Sequence, residues 1–188
     1  ALPNLWQTWT PPNKRALVVH TSGSVSLDSI QSLSERTGVL YPLQTFSANR
    51  PLDFSEIPCF VEGSDEEVTQ TLLELAKSVS HEVNPLDSER RRTLHLAAVF
   101  ACNFVNHLYE VASSQLEAQS LSPRWLLPLI TETARKVSDL TPHDAQTGPA
   151  RRGDRRVIEA HLRLLDGQPT WQELYKIISE SIYHQFHQ

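Results

Sequence analysis

The sequence has 188 residues, of which 39% are hydrophobic and 21% are charged, and its formal net charge is -5. This composition is typical of a globular chain with one large domain or two small ones, and not of a disordered chain. The negative net charge gives no global field that would draw the chain to nucleic acid or to a membrane surface.

The longest nearly apolar run, residues 94–112, contains two histidines and two asparagines, which argues against a lipid-spanning helix. Cys59 and Cys102 lie in hydrophobic segments, as reduced core cysteines do, and so we expect a cytoplasmic protein. The sequence begins at Ala1 and contains no Met. We therefore expect that upstream residues or methionines are missing from it.

The first 86 residues alternate between strand and helix signals. Residues 16–20 (ALVVH) are a continuous apolar run, which is typical of a strand buried on both faces of a parallel sheet. Further strands are predicted at residues 39–41, 57–61 and 81–84. This half of the chain therefore has the pattern of an α/β domain.

Two helices are predicted between these strands. The first is short and amphipathic, carries Leu27 and Ile30, and closes near Gly38. The second begins at a capping box, residues 64–67 (SDEE), with acidic residues in its first turn. Four apolar residues fall on one face of this second helix: Val68, Leu72, Ala76 and Val79.

After Pro85 the strand signals stop, and four helices are predicted. Their predicted starts are Asp87, Pro123, Asp154 and the capping box at residues 170–173 (TWQE). The first of these helices reaches about Gln119, and Pro128 is expected to kink the second. The sequence therefore predicts an α/β domain at residues 1–86 followed by an all-α domain at residues 87–188.

The run at residues 94–112 is apolar nearly all round, which predicts a helix buried on every side. At 100° per residue, His95, Asn103 and Asn106 fall within an arc of about 80° on one face. Buried polar groups need hydrogen bonds, so this stripe faces either a structural polar network or a ligand cavity. Helix geometry alone does not choose between the two.

Two loops are candidate ligand sites. Residues 20–24 (HTSGS) follow a strand, where open α/β sheets bind ligands, although a helix start has the same composition. Residues 145–156 (AQTGPARRGDRR) hold two glycines and four arginines, which suit a loop that approaches an anion. The alternative is an ordered loop held by Asp154 capping and arginine ion pairs. No metal site is predicted, since His184 and His187 lack acidic or cysteine partners.

Six motifs occur in this order: HTSGS, YPLQTFS, IPCFVEG, LDSERRRTLHLAAVFACNFVNHLY, LLPLITETARK and AQTGPARRGD. Together they resemble a family of Rossmann-like proteins with a C-terminal domain of unknown function, DUF2520. That family is related to F420-dependent NADP oxidoreductases and to 6-phosphogluconate dehydrogenase-like proteins. The resemblance implies the C-terminal part of a Rossmann-like dinucleotide-binding domain, followed by a helical domain like the C-terminal domain of 6-phosphogluconate dehydrogenase.

One feature departs from the family pattern. The six glycines, at positions 23, 38, 63, 148, 153 and 167, contain no G-x-G-x-x-G fingerprint for a dinucleotide. We therefore expect the chain to begin after the first βαβ unit of the nucleotide domain. A longer protein would supply that unit.

The resemblance implies an NAD(P)-dependent oxidoreductase that transfers a hydride to or from a small, acidic substrate, with NADP or NAD as cofactor. The catalytic residues it implies are His95, Asn103 and Asn106. The cofactor would contact His20, Thr21, Ser22 and Gly23. The substrate would contact Gln146, Thr147, Gly148, Arg151 and Arg152.

The resemblance also implies a homodimer formed through the helical domain. A non-catalytic dinucleotide sensor or protein-interaction module with the same fold is the alternative function, because fold alone does not establish chemistry. Four arginines without interleaved aromatic residues, in an acidic chain, are weak grounds for a nucleic-acid site, and none is predicted.

Overall fold

The computed structural model describes residues 9–187. Contacts divide the chain into two compact units, an N-terminal unit that ends at His107 and a C-terminal unit that begins at Leu108. Strands come first and helices follow, so the predicted order of an α/β part and then an all-α part is confirmed.

The N-terminal unit contains a four-stranded sheet in the order β1-β2-β3-β4. The strands are β1 (Leu17–His20), β2 (Arg36–Pro42), β3 (Cys59–Gly63) and β4 (Val83–Pro85). β1 and β2 are parallel, β2 and β3 are antiparallel, and β3 and β4 are parallel. The sheet is therefore mixed, rather than the parallel sheet that the apolar run of β1 suggested.

The alternation of side chains along the strands gives the sheet two apolar faces. One face carries Val18, Val39 and Tyr41, which pack with Leu27 and Ile30. The other face packs against helix α1 (Glu66–Lys77). The buried residues on that side are Cys59, Val61, Val68, Leu72 and Ala76.

The connection between β1 and β2 differs from the prediction. Leu27–Ile30 is one 3-10 turn, capped by the Ser26 side chain, instead of an amphipathic α-helix. β2 begins earlier than predicted, at Arg36, so Gly38 lies inside the strand and closes no helix. A Cβ atom on Gly38 would collide with Leu72 of α1, so a glycine lets the helix pack closely on the strand.

α1 is capped by Asp65, whose Oδ1 accepts a hydrogen bond from the Val68 amide at 2.8 Å. The predicted box placed Ser64 in that role. The helix ends at Lys77, so Val79 lies beyond it and is 45% exposed. The predicted apolar face therefore included one residue, Val79, that lies outside the helix.

The chain is helical from Ser88 to Glu117, in three segments. These are α2 (Ser88–Ala98), a π-helical segment (Val99–Phe104) and α3 (Val105–Glu117). Asp87 caps α2 as predicted, because its Oδ1 accepts from the Arg90 amide at 2.8 Å.

The predicted burial of this helix on every side is wrong for the single chain. Leu96, Phe100 and Phe104 are 57%, 61% and 49% exposed. The apolar composition of this helix therefore does not mean that the helix lies in the core of a single chain.

The remaining helices belong to the C-terminal unit. They are a 3-10 turn (Pro123–Leu126), α4 (Leu127–Asp139), α5 (Pro142–Ala145), α6 (Arg155–Leu164) and α7 (Pro169–Phe186). The predicted Asp154 cap is confirmed, since its Oδ1 accepts from the Val157 amide at 3.2 Å.

Two prolines of this unit bear on the predictions. Pro128 lies in the first turn of α4, directly after the 3-10 turn that ends at Leu126, where its missing amide proton costs no helical hydrogen bond. Pro169 is the first residue of α7, and Gln168 precedes it as the cap. The capping box predicted from Thr170 is therefore wrong. The short helix α5 was not predicted.

Candidate functional site

A cleft of about 610 Å³ lies on the N-terminal unit. One wall is Tyr41 and the loop at residues 43–46, which follows β2. The other wall comes from α2 and the π-helical segment, and includes His95, Cys102 and Asn103. The cleft thus contains two of the three predicted catalytic residues.

Tyr41 and His95 form a pair at this cleft. The Tyr41 hydroxyl lies 3.2 Å from His95 Nδ1, and the two rings meet edge to face at 75°. Burial raises the pKa of Tyr41, although the positive charge of Arg91 opposes that shift in part. Tyr41 is therefore a neutral hydroxyl at physiological pH.

Gly23 brings the loop at residues 20–24 against this pair. A Cβ atom at Gly23 would lie 2.6 Å from His95 Nδ1 and 2.8 Å from Tyr41 Cζ. Real Cβ contacts are longer than this, so only a glycine fits without displacing one of the two rings. Gly23 is thus placed by packing beside the predicted catalytic histidine.

His20 lies inside the protein, with 3% of its surface exposed. Its Nδ1 accepts a hydrogen bond from the Ser22 amide at 3.2 Å. Burial lowers the pKa of His20, and the positive charge of Arg91 adds to that effect. His20 is therefore a neutral, internal residue whose hydrogen bond shapes the loop.

The same loop limits how a dinucleotide could bind. The amides of Ser24 and Val25 both donate to Ser22 Oγ at 3.3 Å, so these groups are already hydrogen-bonded. Thr21 is exposed and Ser22 is half-buried. A cradle for a pyrophosphate needs free amides, so this loop is poorly suited to that role.

The π-helical segment separates the two predicted asparagines. Asn103 lines the cleft with His95, whereas Asn106 is exposed and is not among the described residues that line it. A π turn holds one extra residue, which rotates all later positions by about 100°. The arc calculated for a regular α-helix therefore does not extend to Asn106.

A buried network next to the cleft was missed by the sequence reasoning. Arg91 is fully buried, and its Nη1 donates to Glu62 Oε2 in an ion pair. Its Nη2 donates to the Val25 carbonyl at 2.6 Å. Ser88 Oγ donates to Glu62 Oε2 at 2.7 Å and accepts from the Leu27 amide at 3.0 Å.

This network joins α2, β3 and the segment before the Leu27–Ile30 turn. Arg91 and His95 are four residues apart on α2, so they share one helix face. The network therefore fixes the face that presents His95. The spacing of Arg91 and His95 could be seen in the sequence. Glu62, the partner of Arg91, is distant in the sequence, and no sequence pattern indicated that the two would pair.

The arginine-rich loop belongs to the C-terminal unit. Gly148 and Gly153 have φ angles of +105° and +67°, which favour glycine. Arg151 Nη1 donates to the Gln146 carbonyl, and its guanidinium lies 5.0 Å from the centre of the Phe186 ring. Arg151 is therefore held inside its own unit.

Two other residues of this loop differ from Arg151 in their surroundings. Arg152 is exposed and makes no hydrogen bond or ion pair with any residue in the described range 9–187. Thr147 lines an apolar cavity of about 570 Å³ within the C-terminal unit. In this cavity His161 Nδ1 lies 2.8 Å from the Tyr175 hydroxyl.

Two kinds of feature are absent from residues 9–187. No cluster of three or more His, Cys, Asp or Glu side chains has a geometry that could hold a metal ion. Among the helices described, none combines the length and apolar character needed to cross a membrane.

Residues 57–182 match the family defined by a domain of unknown function, DUF2520. The match covers more than half of the chain. The chain belongs to the DUF2520 family. No curated protein matches it.

Solved structures extend the similarity of this DUF2520 chain beyond the matched segment. A putative NADP oxidoreductase from Bacteroides fragilis is 48% identical and superposes with a TM-score of 0.89 over 92% of the chain. A protein from Thermotoga maritima is 25% identical, with a TM-score of 0.72 over 90% of the chain. The chain spans 66% of the first protein and 68% of the second.

Proposed function

We propose that this protein is an NAD(P)-dependent oxidoreductase that transfers a hydride between the cofactor and a carbonyl or imine carbon. The observation that carries the proposal is the His95 and Tyr41 pair, which meets the Gly23 loop at one cleft. The similarity to a putative NADP oxidoreductase supports NADP as the cofactor.

We assign the handling of the proton at the substrate oxygen or nitrogen to His95, because an imidazole can titrate near neutral pH. Asn103 lines the same cleft and would orient the substrate or the nicotinamide amide. The same role for Asn106 requires a ligand that extends beyond the cleft. When bound, the cofactor supplies or accepts the hydride.

We assign contact with the nicotinamide end of a cofactor to Thr21, which is exposed, and to Ser22, which is half-buried. His20 and Gly23 would act indirectly. His20 would shape the loop through its hydrogen bond to the Ser22 amide, and Gly23 would leave room for the His95 ring. The pyrophosphate of a cofactor would need free amides, and those of Ser24 and Val25 already donate to Ser22 Oγ.

For a small acidic substrate, Arg152 is the better anchor of the two arginines. Its side chain is exposed, whereas Arg151 already contacts Gln146 and Phe186. A guanidinium group can bind a carboxylate through two parallel hydrogen bonds. Gln146, Thr147 and Gly148 would shape the loop that presents it.

The test uses the full-length protein with NADPH and a panel of keto and imino acids, with oxidation of the cofactor followed by absorbance. His95→Ala is expected to lower turnover at least tenfold, in line with the roughly 10²- to 10⁴-fold contribution of general acid–base catalysis. His107→Ala, an exposed histidine further along the same helical stretch, is the control. If His95→Ala had the turnover of the wild-type protein, His95 would have no role in the mechanism. NADPH binding without turnover over the whole panel would favour a dinucleotide sensor.

We also infer a homodimer formed through the C-terminal unit. Among its described residues, Ala150 alone is buried within the single chain. Large apolar side chains are exposed instead: Leu108, Leu121, Trp125, Leu127, Leu129, Val137, Leu140, Leu164 and Ile177. An apolar surface of this extent is typical of an interface.

Sedimentation of the full-length protein tests the dimer. Leu129→Glu places a charge on this surface and is expected to shift the protein towards monomer. Thr131→Glu, two residues along α4 and so on another face, is expected to leave the sedimentation unchanged. A monomeric wild-type protein would overturn the inference.

A further inference from the structure

The two ring nitrogens of His95 have different surroundings. The edge that carries Nδ1 faces Gly23 and the Tyr41 hydroxyl, which lies 3.2 Å away. Nε2 is on the opposite edge of the ring, makes no hydrogen bond with any described residue, and is not buried. His95 also lines the cleft, so Nε2 is the nitrogen that is open to a ligand.

Acid–base strength decides which group donates in this hydrogen bond. A phenol gives up its proton near pH 10, and a neutral imidazole does so only in far stronger base, so the tyrosine is the better donor. The unprotonated imidazole nitrogen is in turn the better acceptor. Burial further favours the neutral Tyr41 hydroxyl by raising its pKa.

We propose that Tyr41 is a positioning residue that holds neutral His95 with its proton on Nε2, so that the cleft offers a hydrogen-bond donor to an uncharged carbonyl group. A neutral imidazole carries one proton, and a hydrogen bond accepted at Nδ1 leaves that proton on Nε2. The inference rests on the proposed oxidoreductase function and names the chemistry of the group that the cleft binds.

The walls of the cleft agree with an uncharged ligand. Apart from His95, the side chains that line it are apolar or neutral and polar, such as Leu94, Phe46 and Gln44. Arg91, the buried cation on the same face of α2, is already paired with Glu62. A carboxylate in this cleft would lose water without gaining a counter-charge, which is costly.

The same arrangement suits hydride transfer at a carbonyl carbon. As a hydride reaches that carbon, negative charge develops on the oxygen, and an N–H donor aimed at the oxygen stabilises it. The oxygen would then take the Nε2 proton as Nδ1 gains the proton of the Tyr41 hydroxyl, which solvent replaces. The anionic part of an acidic substrate would then lie outside the cleft. His95 would bind the oxygen of the group that reacts.

Nitrogen-15 NMR of the histidine side chains in the full-length protein tests the tautomer. At about pH 8.5, roughly two units above the ordinary imidazole pKa, neutral rings dominate and the shifts report which nitrogen carries the proton. The His95 signals are assigned by their loss in His95→Gln. We expect a protonated Nε2 and an unprotonated Nδ1 in the wild-type protein.

Tyr41→Phe removes the hydroxyl and keeps the ring. In this variant the two His95 nitrogen shifts are expected to move towards each other, as the ring exchanges between tautomers. Tyr109→Phe is the matched control, because that hydroxyl makes no hydrogen bond with the described residues, and it should leave the shifts unchanged. A proton on Nδ1 in the wild-type protein would overturn the proposal even if Tyr41→Phe failed to fold.

Two ring compounds of similar size test the ligand chemistry at the same pH. Cyclohexanone is expected to shift the His95 Nε2 signal, and cyclohexanecarboxylate is not. A larger shift with the carboxylate would overturn the assignment of a carbonyl group. Neither measurement needs a cofactor or turnover, so absence of NADPH oxidation would count against the proposed function alone.

Discussion

Arg91 of α2 and Glu62 of β3 form an ion pair in which the arginine side chain is 1% exposed and the glutamate side chain is 18% exposed. The pair lies one helical turn before His95 and also holds the Val25 carbonyl. It therefore joins the helix of the site to the sheet and to the segment that follows the Gly23 loop.

Arg91→Leu is expected to lower the free energy of unfolding by about 3 to 5 kcal/mol, because Glu62 would keep its charge in a mostly buried place without a counter-charge. Urea unfolding of the full-length protein measures this change. Arg90→Leu is the control, since its pair with Asp87 is exposed and 3.7 Å long, and it should cost no more than about 1 kcal/mol. Equal effects of the two changes would show that the buried pair does not stabilise the fold.

Gly23→Ala tests whether the loop positions His95. The added Cβ would lie 2.6 Å from His95 Nδ1, so we expect the ring to move away from Tyr41. NADPH-dependent turnover should fall at least tenfold, because small displacements of a catalytic group are costly. The exposed Ser24, in the same loop, provides the control Ser24→Ala. Unchanged turnover in Gly23→Ala would mean that the packing can relax without affecting the site.

The elements of the fold that follow from short-range patterns were predictable from the sequence. β1, the Asp87 cap and the Asp154 cap depend on residues that are close together in the chain. The direction of β3 and the position of Gly38 inside β2 depend on pairing between distant segments. Periodicity within one segment does not report such pairing.

The same distinction applies to the site. His95 and Asn103 were found because a polar residue in an apolar helix is informative, and both line the cleft. Tyr41 was missed because it looked like an ordinary strand residue. The π-helical segment has no sequence signal of its own, so the rotation that separates Asn106 could not be predicted.

The buried His20 predicts how stability depends on pH. Burial, with help from Arg91, holds the pKa of His20 below its ordinary value of 6.5. The unfolded chain therefore binds this proton more readily than the folded protein. The contribution of His20 to the free energy of unfolding is fully present above about pH 6.5 and is lost as the pH falls below that value.

Urea unfolding between about pH 7.5 and pH 5 measures this dependence, with a slope of at most about 1.4 kcal/mol per pH unit from one proton. His20→Gln should flatten the slope, whatever it does to stability at one pH. His81→Gln, which changes an exposed histidine, should leave the slope as it is. If both variants keep the wild-type slope, other groups control the acid sensitivity.

The two cysteines differ in their access to reagents. Cys59 is fully buried in the sheet, and burial raises the pKa of its thiol, so we expect it to resist alkylation in the folded protein. Cys102 is half-buried and lines the cleft beside Asn103, so iodoacetamide should modify it first. Mass spectrometry of the digested protein distinguishes the two sites, and Cys102→Ser should abolish the early reaction.

A ligand bound in the cleft should slow alkylation of Cys102, because the thiol lines the cleft that the ligand would occupy. Modification at an unchanged rate, under conditions where the ligand is known to be bound, would place the binding site elsewhere.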